Sequence, residues 1–342
     1  MQPSDLKNLN IAIVGAGYGG AAAATALSLL GATVDVYEQA GRIREVGAGI
    51  GLRPSTMDRF RRWGIFDAIA DVSSPSDYFE ILTATADPIM KEAWPEAGAF
   101  GERTRLVHRG DFIEALLGVL PEGMVHLGHK LEGITDEGDR ATLAFANGAS
   151  VTADLVVGAD GIRSVVRERL FGGGRPVFAG EHAYRAVIPA ADAHGMVVDD
   201  NLRMYIGRGT KDDLLKTVEG FDERIVNITR DLDLDTVNCR AVYDIDPVDT
   251  WHSDSVVLVG DAAHSMLHHQ GQGANSAILD VGALADALAE AGSVGEALAR
   301  YQAVRKPVTD ELQRISRQGW TEDEVHDVFP GQKPASQNPQ EV

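Results

Sequence analysis

The chain has 342 residues, 44% hydrophobic and 24% charged, an ordinary balance for a globular protein long enough to bury a sizeable core. It carries 51 acidic against 31 basic residues, a formal net charge of −20, which excludes nucleic acid and anionic membrane surfaces as expected partners. One cysteine, Cys239, rules out an internal disulfide and any multi-cysteine zinc or iron–sulfur site, and the simplest setting is a reducing cytoplasm.

The first clear element is "NIAIVGAGYGG". Ile11 to Val14 reads as a buried strand, the glycines as a turn, and Ala21 to Leu30 as a helix ended by Gly31. "TVDVYE" is a second strand, completing a βαβ unit. The segment from Ile11 to Tyr37 is apolar, but this division into strand, turn, helix and strand excludes a membrane span.

Next, "STMDRFRRWGIFDAIADV" has helical spacing of Met57, Phe60, Trp63 and Phe66. "RGDFIEALLGVLP" predicts a helix closed by Pro121. The stretch from Ala141 predicts a hairpin around Asn147-Gly148, then a buried strand from Leu155 to Val157 and a helix through "SVVRERLF". From Gly172 to Trp251 short alternating runs predict a smaller, sheet-rich insertion. From Ser255 a buried strand and long helices return, and the Pro- and Gln-rich stretch 326–342 reads as a disordered tail.

Gly15, Gly17 and Gly20 form GxGxxG directly between strand and helix. The first glycine permits the tight turn, the second lets a pyrophosphate approach the backbone, and the third lets helix and strand pack closely. Unpaired N–H groups at the helix start then face the phosphates. Glu38 ends the second strand, where a carboxylate can accept both hydroxyls of an adenosine ribose. A ligand-free glycine turn is the alternative, and the motif alone leaves NAD and FAD both open.

Two further motifs separate these cofactors. "DLVVGADGIRSVVR" places Asp160 and Gly161 after a buried strand, with Ser164 and Arg167 following. "GDAAHSMLHHQGQGAN" follows the apolar run "SVVLVG". With GxGxxG, these three motifs in this order resemble the flavoprotein monooxygenases of the aromatic-ring hydroxylase type, over most of residues 10–320.

The resemblance implies FAD as cofactor. It implies that Gly15, Gly17, Gly19, Gly20 and Glu38 hold the ADP half, and that Arg44, Ala48 and Arg109 lie near the pyrophosphate and ribityl chain. It places the Leu131 backbone on the adenine side and Asp160 in a motif serving both FAD and NAD(P)H. Gly260 and Asp261 meet the ribityl chain, and Gly271, Gly273, Ala274 and Asn275 lie against the flavin ring. Independent physical reasons agree: Asp261 follows a strand, where an acceptor is held rigidly, and a helix starting near Gly273 points its positive end at a ring that becomes anionic on reduction. Asp261 also suits a helix N-cap, and the two roles are compatible.

No second strand–GxGxxG–helix unit is visible, so NADH or NADPH is expected to dock transiently rather than on its own domain. His264, His268 and His269 crowd six residues, yet the loop setting and the lack of an HExxH glutamate argue against a metal. His264 reads as scaffold. The resemblance implies proline at position 268, beside flavin and substrate. An imidazole there, or at His269, could act as base or hydrogen-bond partner to a substrate hydroxyl; surface imidazoles are the alternative. Tyr184 and Arg185, in "AYRAVIPA", line or support the pocket, with Arg185 either pairing a substrate carboxylate or bridging domains.

Two departures stand out. Gly51 occupies the position where nicotinate-type relatives carry histidine, and against the family it resembles the chain reads as a few dozen residues short between Gly209 and Lys211, either a pruned pocket or an omitted segment.

The expected fold is α/β: a Rossmann-like FAD-binding domain (1–75, 104–171, 252–325) with an inserted, smaller substrate domain (76–103, 172–251) and C-terminal helices. The expected function is an FAD-dependent monooxygenase hydroxylating a small hydroxylated aromatic or N-heteroaromatic substrate with NAD(P)H and O₂ through a flavin C4a-hydroperoxide. A flavin oxidase or reductase without oxygen insertion, and a flavin-binding protein without turnover, stay open. The chain is expected to act as a monomer or homodimer.

Overall fold

The structure, a computed structural model, describes residues 7–43, 49–94, 97–206, 214–233, 235, 237–268 and 271–318. Strand β1 (Asn10–Val14), helix α1 (Tyr18–Leu29) and β2 (Thr33–Glu38) form the opening βαβ unit. Ala21 to Ala24 of α1 are fully buried, and such small side chains let the helix lie close to its neighbours.

β3 (Gly49–Leu52) is followed by α2 (Pro54–Arg62), which starts on Pro54 where a missing N–H costs nothing. The helical spacing of the next residues predicts one helix, but there are two. Gly64 adopts φ +72°, which no helix tolerates, and α3 (Phe66–Ala70) begins beyond it.

Then come β4 (Ser73–Pro75), β5 (Tyr78–Thr83), β6 (Pro88–Ala93), β7 (Arg105–His108), α4 (Arg109–Gly118) and β8 (Val125–Leu127). β9 (Leu131–Asp136), β10 (Ala141–Phe145) and β11 (Ser150–Ala153) make an antiparallel meander, the last two joined at Asn147-Gly148. β12 (Leu155–Gly158), fully buried, leads to α5 (Val165–Leu170).

The following stretch is less rich in sheet than its alternation predicts. It holds β13 (Val177–Arg185), β14 (Leu202–Ile206), α6 (Leu214–Thr217), α7 (Glu223–Asp231) and β15 (Asn238–Asp244). The chain returns through β16 (Val256–Leu258) to α8 (Asp261–His264), α9 (Gly273–Glu290) and α10 (Val294–Ser316). α10 opens on a cap: the Ser293 hydroxyl accepts from Glu296 N–H, while the Glu296 carboxylate accepts from Gly292 N–H.

The central sheet is parallel, in the order β16-β12-β1-β2-β8. β1, β12 and β16 read as continuous apolar, buried runs, as strands covered on both faces do. One core runs beneath it, with Trp251, Tyr301, Phe60 and Phe112 as its largest fully buried rings. Among the described residues four smaller sheets accompany it: the β11-β10-β9 meander, β3-β7-β4, β14-β5-β6 and the two-stranded ribbon β13-β15. β14 pairs in parallel with β5, so segments on either side of the FAD-motif region share one sheet. Phe79 and Ile81 form a separate small core there. Among the described residues no helix is long and apolar enough to cross a membrane.

Candidate active site

Parallel register puts all three sequence motifs at one edge of the sheet. Val14 pairs with Gly158, and Gly158 with Leu258, so the chain leaves β1, β12 and β16 side by side. The carboxyl ends of parallel strands are where such sheets bind ligands. A groove of about 660 Å³ lies there. Gly17, Tyr18 and Gly19 line it from β1 and α1, Ala159 and Gly161 from β12, and Val259 to Asp261 from β16.

The glycine turn is dictated by contact. Gly15 has φ +99°, and a Cβ on it would sit 2.5 Å from the Ala159 carbonyl oxygen. A Cβ on Gly20 would lie 1.8 Å from the Gly15 oxygen. Gly17, by contrast, has nothing within 4 Å of a Cβ position, which leaves its backbone open to a ligand. Glu38 braces the turn: Oε2 accepts from Ala16 N–H at 2.9 Å and Oε1 from Ala40 N–H at 2.8 Å. Each carboxylate oxygen retains a further acceptor site for a ribose hydroxyl.

Asp261 opens α8 and faces the groove. It is accessible because it lines that space, yet dense surrounding protein pushes its carboxyl pKa up through burial, against the pull of His264, Arg109 and Arg167. A Cβ on Gly273 would lie 3.9 Å from Asp261 Oδ1, so the carboxylate stands beside the start of α9. Gly271, Gly273 and Ala274 line the same wall. The 18-residue α9 points the positive end of its dipole at this point.

Beneath Asp261 lies a buried ionic network. Asp280, from α9, accepts from His264 Nε2 at 2.5 Å, Arg305 Nε at 2.7 Å and Gly260 N–H at 3.0 Å. Burial opposes ionisation of Asp280, but His264 and Arg305 outweigh it and hold the carboxyl below the usual range. A carboxylate only accepts, so His264 carries its proton on Nε2. The His264 ring is buried and packs on Trp251 at 5.3 Å. It is therefore part of the scaffold rather than of the groove wall.

Three other expected cofactor residues, Asp160, Leu131 and Asn275, support the groove without lining it. Asp160 spends its carboxylate on Ser164 Oγ, Val165 N–H and Val166 N–H, fixing the start of α5. Burial raises its pKa, and those donors offset part of the rise. Arg167, 2% exposed, donates to the Ala262 and Ile162 carbonyls and so ties this loop to α8. Asn275 is a clasp: Oδ1 accepts from Arg53 N–H and Thr56 Oγ1, and Nδ2 donates to the Gly51 and Gly271 carbonyls. Leu131 is buried at the start of β9, where His129 N–H reaches the Glu38 carbonyl. Arg109 lines the groove from the start of α4, with its guanidinium 5.1 Å from the Tyr18 ring centre.

The groove is also lined by Tyr184, Arg185 and Ala186 from the end of β13 and by Met266, Leu267 and His268 from the loop after α8. His268 is exposed to it. Arg44, Ala48 and His269, the stretch around 209–211 where a shortening is expected, and the tail 326–342 lie outside the described residues. Among the described residues no group of three or more histidine, cysteine, aspartate or glutamate side chains could hold a metal.

Sequence reasoning missed several residues. Tyr18, Ile50 and Met266 line the groove but carry no motif signature. Asp280 had a signal: it is an acid within a buried stripe with Ala277, Val281 and Leu284 of one helix.

The FAD binding domain family matches residues 8–227 and 243–316. The chain is 34% identical to 6-hydroxynicotinate 3-monooxygenase of Pseudomonas fluorescens over 354 positions, covering 90% of each protein. It is 29% identical to 3-amino-4-hydroxybenzoate 2-monooxygenase of Streptomyces cremeus, covering 91% of this chain and 86% of that protein. In fold it is similar to Klebsiella pneumoniae HpxO complexed with FAD and uric acid, with a TM-score of 0.80, 22% identity and coverage of 94% and 89%.

Proposed function

The chain belongs to the FAD binding domain family, and from that premise we propose that it is a monooxygenase that hydroxylates a small hydroxylated aromatic or N-heteroaromatic compound with NAD(P)H and O₂. The observation that carries this reading is one continuous groove. Its lining brings together the open backbone at Gly17, Asp261, the start of α9, and Tyr184, Arg185 and His268. This set suits FAD: a phosphate-sized approach at the glycines, a polyol acceptor at Asp261, and a positive helix end where a ring would accept electrons. When bound, FAD supplies the redox chemistry with dioxygen.

The protein's own share is positioning. Gly17 and the first amides of α1 would hold the pyrophosphate, with Arg109 adding positive charge. Glu38 would accept from the adenosine ribose and Asp261 from the ribityl chain. The start of α9, held by Asn275, would face the ring. His268 would accept the proton of a substrate hydroxyl or hydrogen-bond it, since an imidazole titrates near neutrality. Arg185 would pair a substrate carboxylate across the groove mouth.

We assign residues 76–103 and 172–251 to the substrate domain. Pairing of β14 with β5 supports joining them. The alignment with the Pseudomonas protein runs over 354 positions while drawing on 90% of 342 residues, so several dozen of its positions lack a counterpart here, in line with a shortened substrate domain.

The test is direct. Purified protein is loaded with FAD, and NADH and NADPH consumption are followed with a panel of phenolic acids and hydroxypyridines. Substrate-stimulated oxidation with an oxygenated product is expected. Failure of any panel member to stimulate oxidation, with FAD bound, would count against a hydroxylase.

A further inference from the structure

The loop Ser265–His268 forms one wall of the groove and contains no proline, so nothing covalent fixes its backbone. It is held instead from behind, by Ile245 N–H, which donates to the Ser265 carbonyl at 3.3 Å, and by the last turns of α10. Gln313 is 1% exposed. Its Nε2 donates to the Ser265 carbonyl at 3.0 Å and to the Ile245 carbonyl at 3.1 Å. One turn on, Ser316 Oγ accepts from Leu267 N–H at 3.3 Å. Arg317 then reaches Asp244, the Ile245 carbonyl and Asp246. Asp244 ends β15 and pairs with Val177 at the root of the β13–β15 ribbon, whose other end, where Tyr184 and Arg185 pair with Cys239 and Asn238, also lines the groove.

We propose that Gln313 is a positioning residue: its amide locks the Ser265–His268 wall to the root of the β13–β15 ribbon and so sets the two walls of the substrate end against each other. The amide orientation follows from its partners, since two carbonyls can be met only by the NH₂ group. That choice leaves Gln313 Oε1 buried with no hydrogen-bond partner among the described residues. A buried amide with an unmet acceptor is a poor device for stability alone. It is a good device for fixing two backbone segments at one distance. The inference rests on the proposed reading of the groove as flavin and substrate site, but its structural half does not.

Gln313→Leu is a clean probe because both carbonyls keep a second donor: Ile245 N–H for Ser265 and Arg317 Nη2 for Ile245. The variant should therefore fold, with FAD affinity within about threefold of the parent, since Asp261 and the α9 start are untouched. Amide hydrogen exchange over Met266–His268 should speed up by about tenfold, the loss of one or two ordinary hydrogen bonds. Arg314→Ala, on the outer face of the same helix, should leave that exchange unchanged. With 6-hydroxynicotinate as probe, Gln313→Leu should release a larger share of consumed NADH equivalents as hydrogen peroxide than the parent does, with kcat for NADH oxidation changed little. Unchanged exchange at Met266–His268 would overturn the proposal. Faster exchange with an unchanged peroxide share would overturn the positioning role. A parent that shows no stimulated oxidation with any ring would defeat the proposed function instead, leaving exchange to judge the lock.

Discussion

The two walls of the groove are built on opposite principles. The wall from β1, β12 and β16 rests on one large core and on a buried charge network whose hydrogen bonds reach from Asp280 to Arg305, His264 and Gly260. The wall carrying Tyr184 and Arg185 rests on a two-stranded ribbon, and Val177, Phe178, Tyr184 and Tyr243 on it are exposed. An isolated pair of strands is marginal by itself. The first wall can hold a cofactor rigidly; the second has room to differ among relatives. The end of α10 and the Ile245 N–H to Ser265 carbonyl bond join them.

The largest effect is expected on the rigid side. Asp280→Ala leaves Arg305 and His264 buried without their acceptor, and should cost about 3–5 kcal/mol in denaturant unfolding. Because partners hold the Asp280 carboxyl below its ordinary range, its contribution is complete above the unfolded carboxylate pKa and is lost as pH falls through the folded one. Parent protein should therefore lose stability steeply on acidification below about pH 4, and Asp280→Ala should show a shallower acid limb.

Asp261→Ala should separate binding from folding. Burial already disfavours its charged form, so the raised pKa makes it a liability to the apoprotein as pH rises past the unfolded value. Loss of the side chain should leave the apoprotein melting temperature at neutral pH unchanged or higher. FAD affinity, read by flavin fluorescence quenching, should fall by about tenfold to a hundredfold, the cost of one hydrogen bond to a charged acceptor.

On the ribbon side effects should be functional. Arg185→Gln should raise KM for a carboxylated substrate by about tenfold while leaving KM for an uncharged phenol and the unfolding midpoint unchanged. Smaller still, Arg203→Ala removes the partly buried cluster with Asp199 and Glu80 and should shift the melting temperature by about 2 °C.

The same contrast explains what the sequence made legible. Gly15, Gly17 and Gly20 could be read because their constraint is local backbone geometry within one turn. Asp261 could be read because a strand end precedes it. The role of Asp160 could be read only in part: its motif is plain, but its carboxylate turns back onto α5. Gln313 and Ser316 were invisible, because their partners lie 48 and 49 residues away and nothing in a helix sequence names a distant backbone group. The break at Gly64 was missed because apolar spacing continues across it. The ribbon side was least legible, since short alternating runs do not specify which strands will pair, and β14 chose β5 across more than a hundred residues.

The most direct test is the fate of oxygen. FAD-loaded protein is given NAD(P)H, 6-hydroxynicotinate or another hydroxylated ring that stimulates oxidation, and isotope-labelled dioxygen, and the product is weighed by mass spectrometry. One labelled oxygen atom in the ring product is the predicted result. Consumption of NAD(P)H with all the labelled oxygen recovered as peroxide or water and the ring unaltered would contradict it.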